Sequence, residues 1–104
     1  MGKAAAICGN VLHDPELMTI AREQLYWIVG KNPFNQSLIY GEGARYPSLN
    51  NFSSGEIVGA MPVGIRSLGD SDEPYWPQIN NACYKEVWLT SAGKWLSLVA
   101  ETDA

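Results

Sequence analysis

The chain has 104 residues, 46% of them hydrophobic and only 17% charged, with a formal net charge of −4. That length allows one domain at most, able to bury about two thirds of its unfolded surface. The acidic balance and the scatter of the seven Lys and Arg exclude a nucleic-acid face built on a basic stripe, and no apolar run reaches the length of a membrane span.

Four Trp and five Tyr are many for a chain this short. Two causes give such an excess of rings and apolar surface: a ring-lined ligand groove, or faces that expect more protein beside them. The second is favoured. Ala4–Cys8 is too short for a signal-peptide core, Met1-Gly2-Lys3 reads as a fragment start, and the sequence assigns no compartment. Cys8 and Cys83 have no metal spacing, so two buried free thiols are expected rather than a disulfide.

In chain order, Lys3–Leu12 reads as a helix with apolar Ala4, Ala5, Ile7, Cys8 and Val11. Asp14-Pro15 starts the next helix: Asp as N-cap, Pro at the first helical position, Glu16 in the first turn. This helix runs to about Val29 with Leu17, Ala21, Leu25 and Ile28 on one stripe. Met18, Ile20 and Trp27 widen the stripe, which predicts burial on most sides.

From Lys31 to about Cys83 the chain is loop-dominated and holds every proline except Pro15. Short extended pieces are expected at Leu38–Tyr40 and Glu56–Val58. The many rings and aliphatic residues here predict an ordered loop, not a disordered one. A final helix is expected from about Thr90 to Glu101, capped by Thr90 or Ser91. Leu89, Ala92, Leu96 and Val99 line one side of it, with Trp88 and Trp95 flanking. Thr102-Asp103-Ala104 should fray.

Trp27–Gly43 is the most specific segment. Gly30 sits where a helix stop is wanted, and Asn32-Pro33 forces the following residues out of α geometry. Ser37 and Gly41-Glu42-Gly43 then shape a turn with a carboxylate at its tip. Gly30, Asn32, Pro33, Ser37, Gly41 and Gly43 together resemble the Gly-x-Asn-Pro-x-x-x-Ser…Gly-x-Gly segment found late in glycoside hydrolase family 9 catalytic domains. That resemblance implies a mostly α fold, part of an (α/α)6 barrel of six helical hairpins: an αα-hairpin, a long ordered loop region and a terminal helix. It makes residues 1–104 a single segment, the C-terminal portion of a glycosidase catalytic domain. It also implies a secreted or periplasmic full-length parent, inversion at the sugar carbon, and β-linked glucan as the default substrate class.

Glycosidic cleavage needs a carboxylic acid to protonate the leaving oxygen and a second carboxylate to activate water or attack. The acid needs a partly desolvated pocket to stay protonated near neutral pH. Glu86, in Cys83-Tyr84-Lys85-Glu86-Val87-Trp88, has aromatic neighbours and precedes the last helix. The family's catalytic acid is likewise a Glu followed by Val ahead of the last barrel helix, so the resemblance makes Glu86 the general acid. Tyr75 also matches the family pattern. Pro77 stands where an Asp is expected, Ala82 where an aromatic is expected and Ala92 where an Asn is expected. Tyr46–Ser54 lacks the family's His-His-Arg cluster. The chain therefore resembles a divergent branch.

Tyr75-Trp76, bracketed by Pro74 and Pro77, form a rigid exposed pair suited to the apolar face of a sugar, with Tyr84 behind them. Glu42 is a second-rank candidate for a sugar contact or a catalytic helper. For Glu86 the competing role is a helix-terminus carboxylate balancing the dipole or Lys85; for the rings it is core packing. Asp70, Asp72 and Glu73 offer oxygen ligands of the kind calcium uses, and a solvated acidic turn is the favoured reading. No cofactor is called for. Expected partners are a carbohydrate and either the rest of the barrel or a second copy, with no nucleic acid and no membrane. Two other functions stay open: a non-catalytic carbohydrate-binding module and a helical interaction domain.

Overall fold

A computed structural model describes residues 1–49, 57–76, 87 and 89–103. Among these, the regular structure is three helices and one short antiparallel ribbon, a mostly α arrangement without a closed barrel. The helices are α1 (Gly2–Leu12), α2 (Pro15–Ile28) and α3 (Leu89–Asp103). The ribbon pairs β1 (Arg66–Ser67) with β2 (Pro74–Tyr75). No helix is long and apolar enough to cross a membrane, among the described residues.

The α1–α2 hairpin is tight because two residues both stop one helix and start the next. His13 takes the left-handed conformation (φ 54°, ψ 41°), and the Asp14 amide donates back to the Gly9 carbonyl at 2.9 Å. His is among the few non-glycine residues that adopt this conformation readily. The Asp14 carboxylate then accepts from the amides of Glu16 (2.9 Å) and Leu17 (3.3 Å), capping α2 with Pro15 at its first position. Sequence reading and structure agree here to within a residue.

Small residues set how closely the helices approach. Gly2, Ala6 and Gly9 form the buried side of α1. A methyl group at Gly9 would lie 3.2 Å from Met18 Cγ, and one at Gly2 would lie 2.9 Å from Leu98 Cδ2. The core is Ala6, Ala21 and Leu98, with Ala5, Met18 and Leu25 packed against it. Leu98, 6% exposed, is the largest side chain of the three, and burying a leucine stabilises by on the order of 2 kcal/mol.

Several expectations need correction. On α3 the buried face is not Leu89–Ala92–Leu96–Val99: Leu89 is 90% and Leu96 60% exposed, while Leu98 and Thr102 are buried. The packed stripe runs through Ser91, Trp95, Leu98 and Thr102, where polar residues interrupt the apolar signal. Thr102 does not fray, because its hydroxyl donates to the Leu98 and Val99 carbonyls, each at 3.0 Å. Ser91 does not cap the helix; its hydroxyl donates to the Val63 carbonyl at 3.3 Å and ties the loop to α3. Nor is α2 buried on most sides within this chain: Ala21 is its one buried residue and Ile20 is 51% exposed. Cys8 is a free thiol but an exposed one, while Cys83 lies outside the described residues.

The extended pieces also fall elsewhere. Residues 38–40 form no strand, although the Tyr40 amide donates to Ala60 O (2.9 Å) and Gly59 N–H donates to Tyr40 O (2.8 Å). Ile57 and Val58 are exposed at a turn, and Glu56 lies outside the described residues. An isolated bridge joins Pro62 to Val87. The described part of the long loop is thus laced to itself and to α3, as its apolar content predicts.

Candidate functional site

Residues 30–46 form the most heavily cross-braced loop described. Gly30, at φ 116°, ends α2: its amide donates to Trp27 O (3.3 Å) while the Lys31 amide donates to Tyr26 O (3.0 Å). This is the paired-bond helix stop that glycine serves best. Asn32 then organises the loop with both ends of its amide. Nδ2 donates to the Trp27 and Gln36 carbonyls at 2.8 Å each, and Oδ1 accepts from the amides of Phe34 (3.1 Å) and Gln36 (3.2 Å). Pro33 sets the backbone that brings those amides round.

Ser37 is almost completely buried. Its Oγ accepts from the Ile39 amide at 3.1 Å, and its own amide donates to Ala44 O at 2.9 Å. The Leu38 amide returns the chain to the end of α2 by donating to Ile28 O at 2.8 Å. Gly43 (φ 77°) lies against this serine, where any Cβ would come 2.9 Å from Ser37 Cβ. Gly41 (φ 78°) is equally pressed, by Val58. Each of these motif residues has a conformational reason for its identity.

Glu42 lies between the two glycines and is exposed. Its amide donates to Ile39 O at 3.2 Å, and its carboxylate makes no hydrogen bond among the described residues. Arg45, at φ 56°, reaches from the same loop to the Phe34 carbonyl and to Glu73 Oε1, both at 2.8 Å. Tyr40 and Tyr46 meet edge to face at 5.2 Å between ring centres. The Arg45–Glu73 pair holds the loop that carries Glu42 against the turn that leads into Tyr75 and Trp76. Both partners are about half exposed, so the pair itself is worth at most about 1 kcal/mol.

Tyr75 lies in β2 opposite Arg66, next to buried Pro74. Tyr75 and Trp76 are half-buried rather than freely exposed, which leaves a partial ring surface. Asp70, Asp72 and Glu73 are exposed. Glu73 answers Arg45, and among the described residues no cluster of His, Cys, Asp or Glu could hold a metal ion. Glu86 and Tyr84 lie outside the described residues. Their neighbour Val87 is fixed by its bridge to Pro62.

Sequence reading overlooked Arg45, whose partner is 28 residues away and leaves no local signal. It also missed a groove of about 550 Å3 between the start of α1, the end of α2, the first turns of α3 and residues 61–65.

A stretch of 57 residues is 37% identical to Endoglucanase 14 of Arabidopsis thaliana. The stretch covers 54% of this chain and 12% of that protein, so the chain spans only a small part of the relative it matches. No known protein family's model matches the chain, and no solved structure matches it. The likeness is local and compatible with the resemblance carried by Gly30 to Gly43.

Proposed function

We propose that the chain is the C-terminal portion of a six-hairpin glycosidase catalytic domain and supplies its general acid and part of its cleft wall. The observation that carries this reading is the partial identity to an endoglucanase. Two features support it. The loop resembling the family's late segment is rigidly braced around Asn32 and Ser37. And a helical hairpin leaves large apolar side chains, Ile7, Val11, Leu12 and Ile20, open to solvent, as a piece of a larger barrel would.

In this reading Glu86 protonates the leaving oxygen, and Tyr75, Trp76 and Tyr84 offer ring faces to the sugar. Glu42 contacts a hydroxyl or assists the acid. The second carboxylate comes from another part of the domain. Because one carboxylate does not complete the mechanism, the 104-residue chain is inactive alone. The substrate is a β-linked glucan, cleaved with inversion.

The test is to follow the reading frame upstream of Met1 and to express the longest product. Several hundred further residues containing a paired-Asp motif, and hydrolysis of a β-glucan by that product, are the expected results. A frame that stops directly upstream would overturn the reading. Oligosaccharide binding by the 104-residue chain alone would then favour a non-catalytic sugar-binding module, and self-association without sugar affinity a helical interaction domain.

A further inference from the structure

The groove between the three helices has a chemistry distinct from the loop side of the molecule. Its walls are largely aliphatic, from Ile28, Leu38 and Ile65 among others, with Trp95 at one side. Its volume of about 550 Å3 is within the usual range for a small-molecule site. Aliphatic walls with one ring do not make the broad aromatic platform a sugar prefers.

Its charge is one-sided. Lys3 and Lys94 line it, and among the described residues no Asp or Glu does. Neither lysine forms an ion pair among the described residues, where the pairs are Lys31–Glu23 and Arg45–Glu73. Two cations facing one apolar groove, with no counter-charge among the described residues, set a local field that favours an anion. The first turns of α1 and α3, which open onto the groove, also hold no acidic residue. Trp95, which lines the groove, has its Nε1 buried with no hydrogen-bond partner among the described residues.

We propose that the groove binds a small amphiphilic carboxylate, its alkyl body along Ile28, Leu38 and Ile65 and its head between Lys3 and Lys94. The inference goes beyond the glycosidase reading and does not depend on it.

The test is a titration of the full chain with hexanoate, octanoate and decanoate below their micelle concentrations, followed by amide and indole resonances. Shifts should centre on Trp95 Nε1–H, Gly64 and Ser91, and affinity should rise roughly three- to fourfold per methylene until the groove is filled. Decyltrimethylammonium should bind at least tenfold more weakly than decanoate. The double variant Lys3→Gln, Lys94→Gln should erase that preference while keeping its helical circular dichroism, and Lys31→Gln, outside the groove, should leave it intact. Equal binding of the two charges, a preference that survives the double variant, shifts confined to the outer side of α1 at Ile7 and Val11, or no shifts at all would each overturn the proposal.

Discussion

Removing the Asn32 side-chain amide should unfasten the loop from the helix that precedes it. Asn32 makes four hydrogen bonds, two donated from Nδ2 and two accepted by Oδ1. At about 0.5–1.5 kcal/mol for each bond, the four set a ceiling of several kcal/mol. Asn32 is only half-buried, so water replaces part of what is lost, and Asn32→Ala should cost about 2–3 kcal/mol. Against a total stability of about 5–15 kcal/mol for an ordinary domain, that is a large fraction. Asn32→Asp keeps the two accepted bonds but turns an oxygen toward the Trp27 and Gln36 carbonyls. Its cost should fall between those of wild type and Asn32→Ala. Urea unfolding at constant slope measures both values. Hydrogen exchange locates the effect: the Ser37 and Leu38 amides, bonded to Ala44 O and Ile28 O, should lose protection before the α1–α2 core does. If Asn32→Ala stayed within about 0.5 kcal/mol of wild type, the range of a neutral surface change, with those amides still protected, the bracing role would be refuted.

Leu98→Ala should destabilise the chain by about 2–5 kcal/mol, the range for a core leucine, whereas Leu96→Ala should stay within about 0.5 kcal/mol; equal effects in thermal melts would contradict the packed face assigned to α3. The isolated chain should self-associate or bind hydrophobic dye, because Val11 and Leu12 are each more than 65% exposed on one helix. Val11→Lys with Leu12→Gln should reduce both light scattering and dye signal, and a wild-type chain that is a dye-free monomer would count against missing neighbours. If the proposed glycosidase reading holds for a longer parent chain, Glu86→Gln in that parent should lower turnover of poor-leaving-group substrates by about two or more orders of magnitude and spare activated aryl glycosides. Equal activity on both substrate types would move the assignment to Glu42.

Helices were legible wherever their ends are fixed by local chemistry. Asp14-Pro15 and Gly30 act through hydrogen bonds to residues within five positions, so the sequence contains the whole cause. The inward face of α3 was not legible in the same way. Its packed stripe includes Ser91 and Thr102, and their burial depends on Val63 and on the helix's own carbonyls rather than on hydrophobicity. The exterior of α1 misleads for a related reason. Close approach to α2 and α3 selects Gly2, Ala6 and Gly9 for the inside, which displaces Ile7, Cys8, Val11 and Leu12 outward. Long-range ties such as Arg45–Glu73 have no periodicity to detect. Of the candidate site, only the positions of Glu42, Tyr75 and Trp76 can be compared with expectation, and the two rings proved more covered than their flanking prolines imply.

The residues that carry the resemblance are explained by shape. Gly30 ends a helix, Asn32 ties four backbone groups, Ser37 fills a site too small for more, and Gly41 and Gly43 occupy conformations hostile to side chains. A loop built this way positions whatever its tip carries, because the Gly41 and Gly43 backbones press against Val58 and Ser37 and the amide of the residue between them donates to Ile39 O. That residue is Glu42, whose side chain is exposed and makes no hydrogen bond among the described residues. Substituting it should therefore leave stability within about 0.5 kcal/mol, as for other surface positions, so any loss of sugar binding or turnover in Glu42→Gln reports on contact with substrate. The bracing and the tip can thus be tested separately: Asn32 variants read the scaffold, and Glu42 variants read what the scaffold holds out.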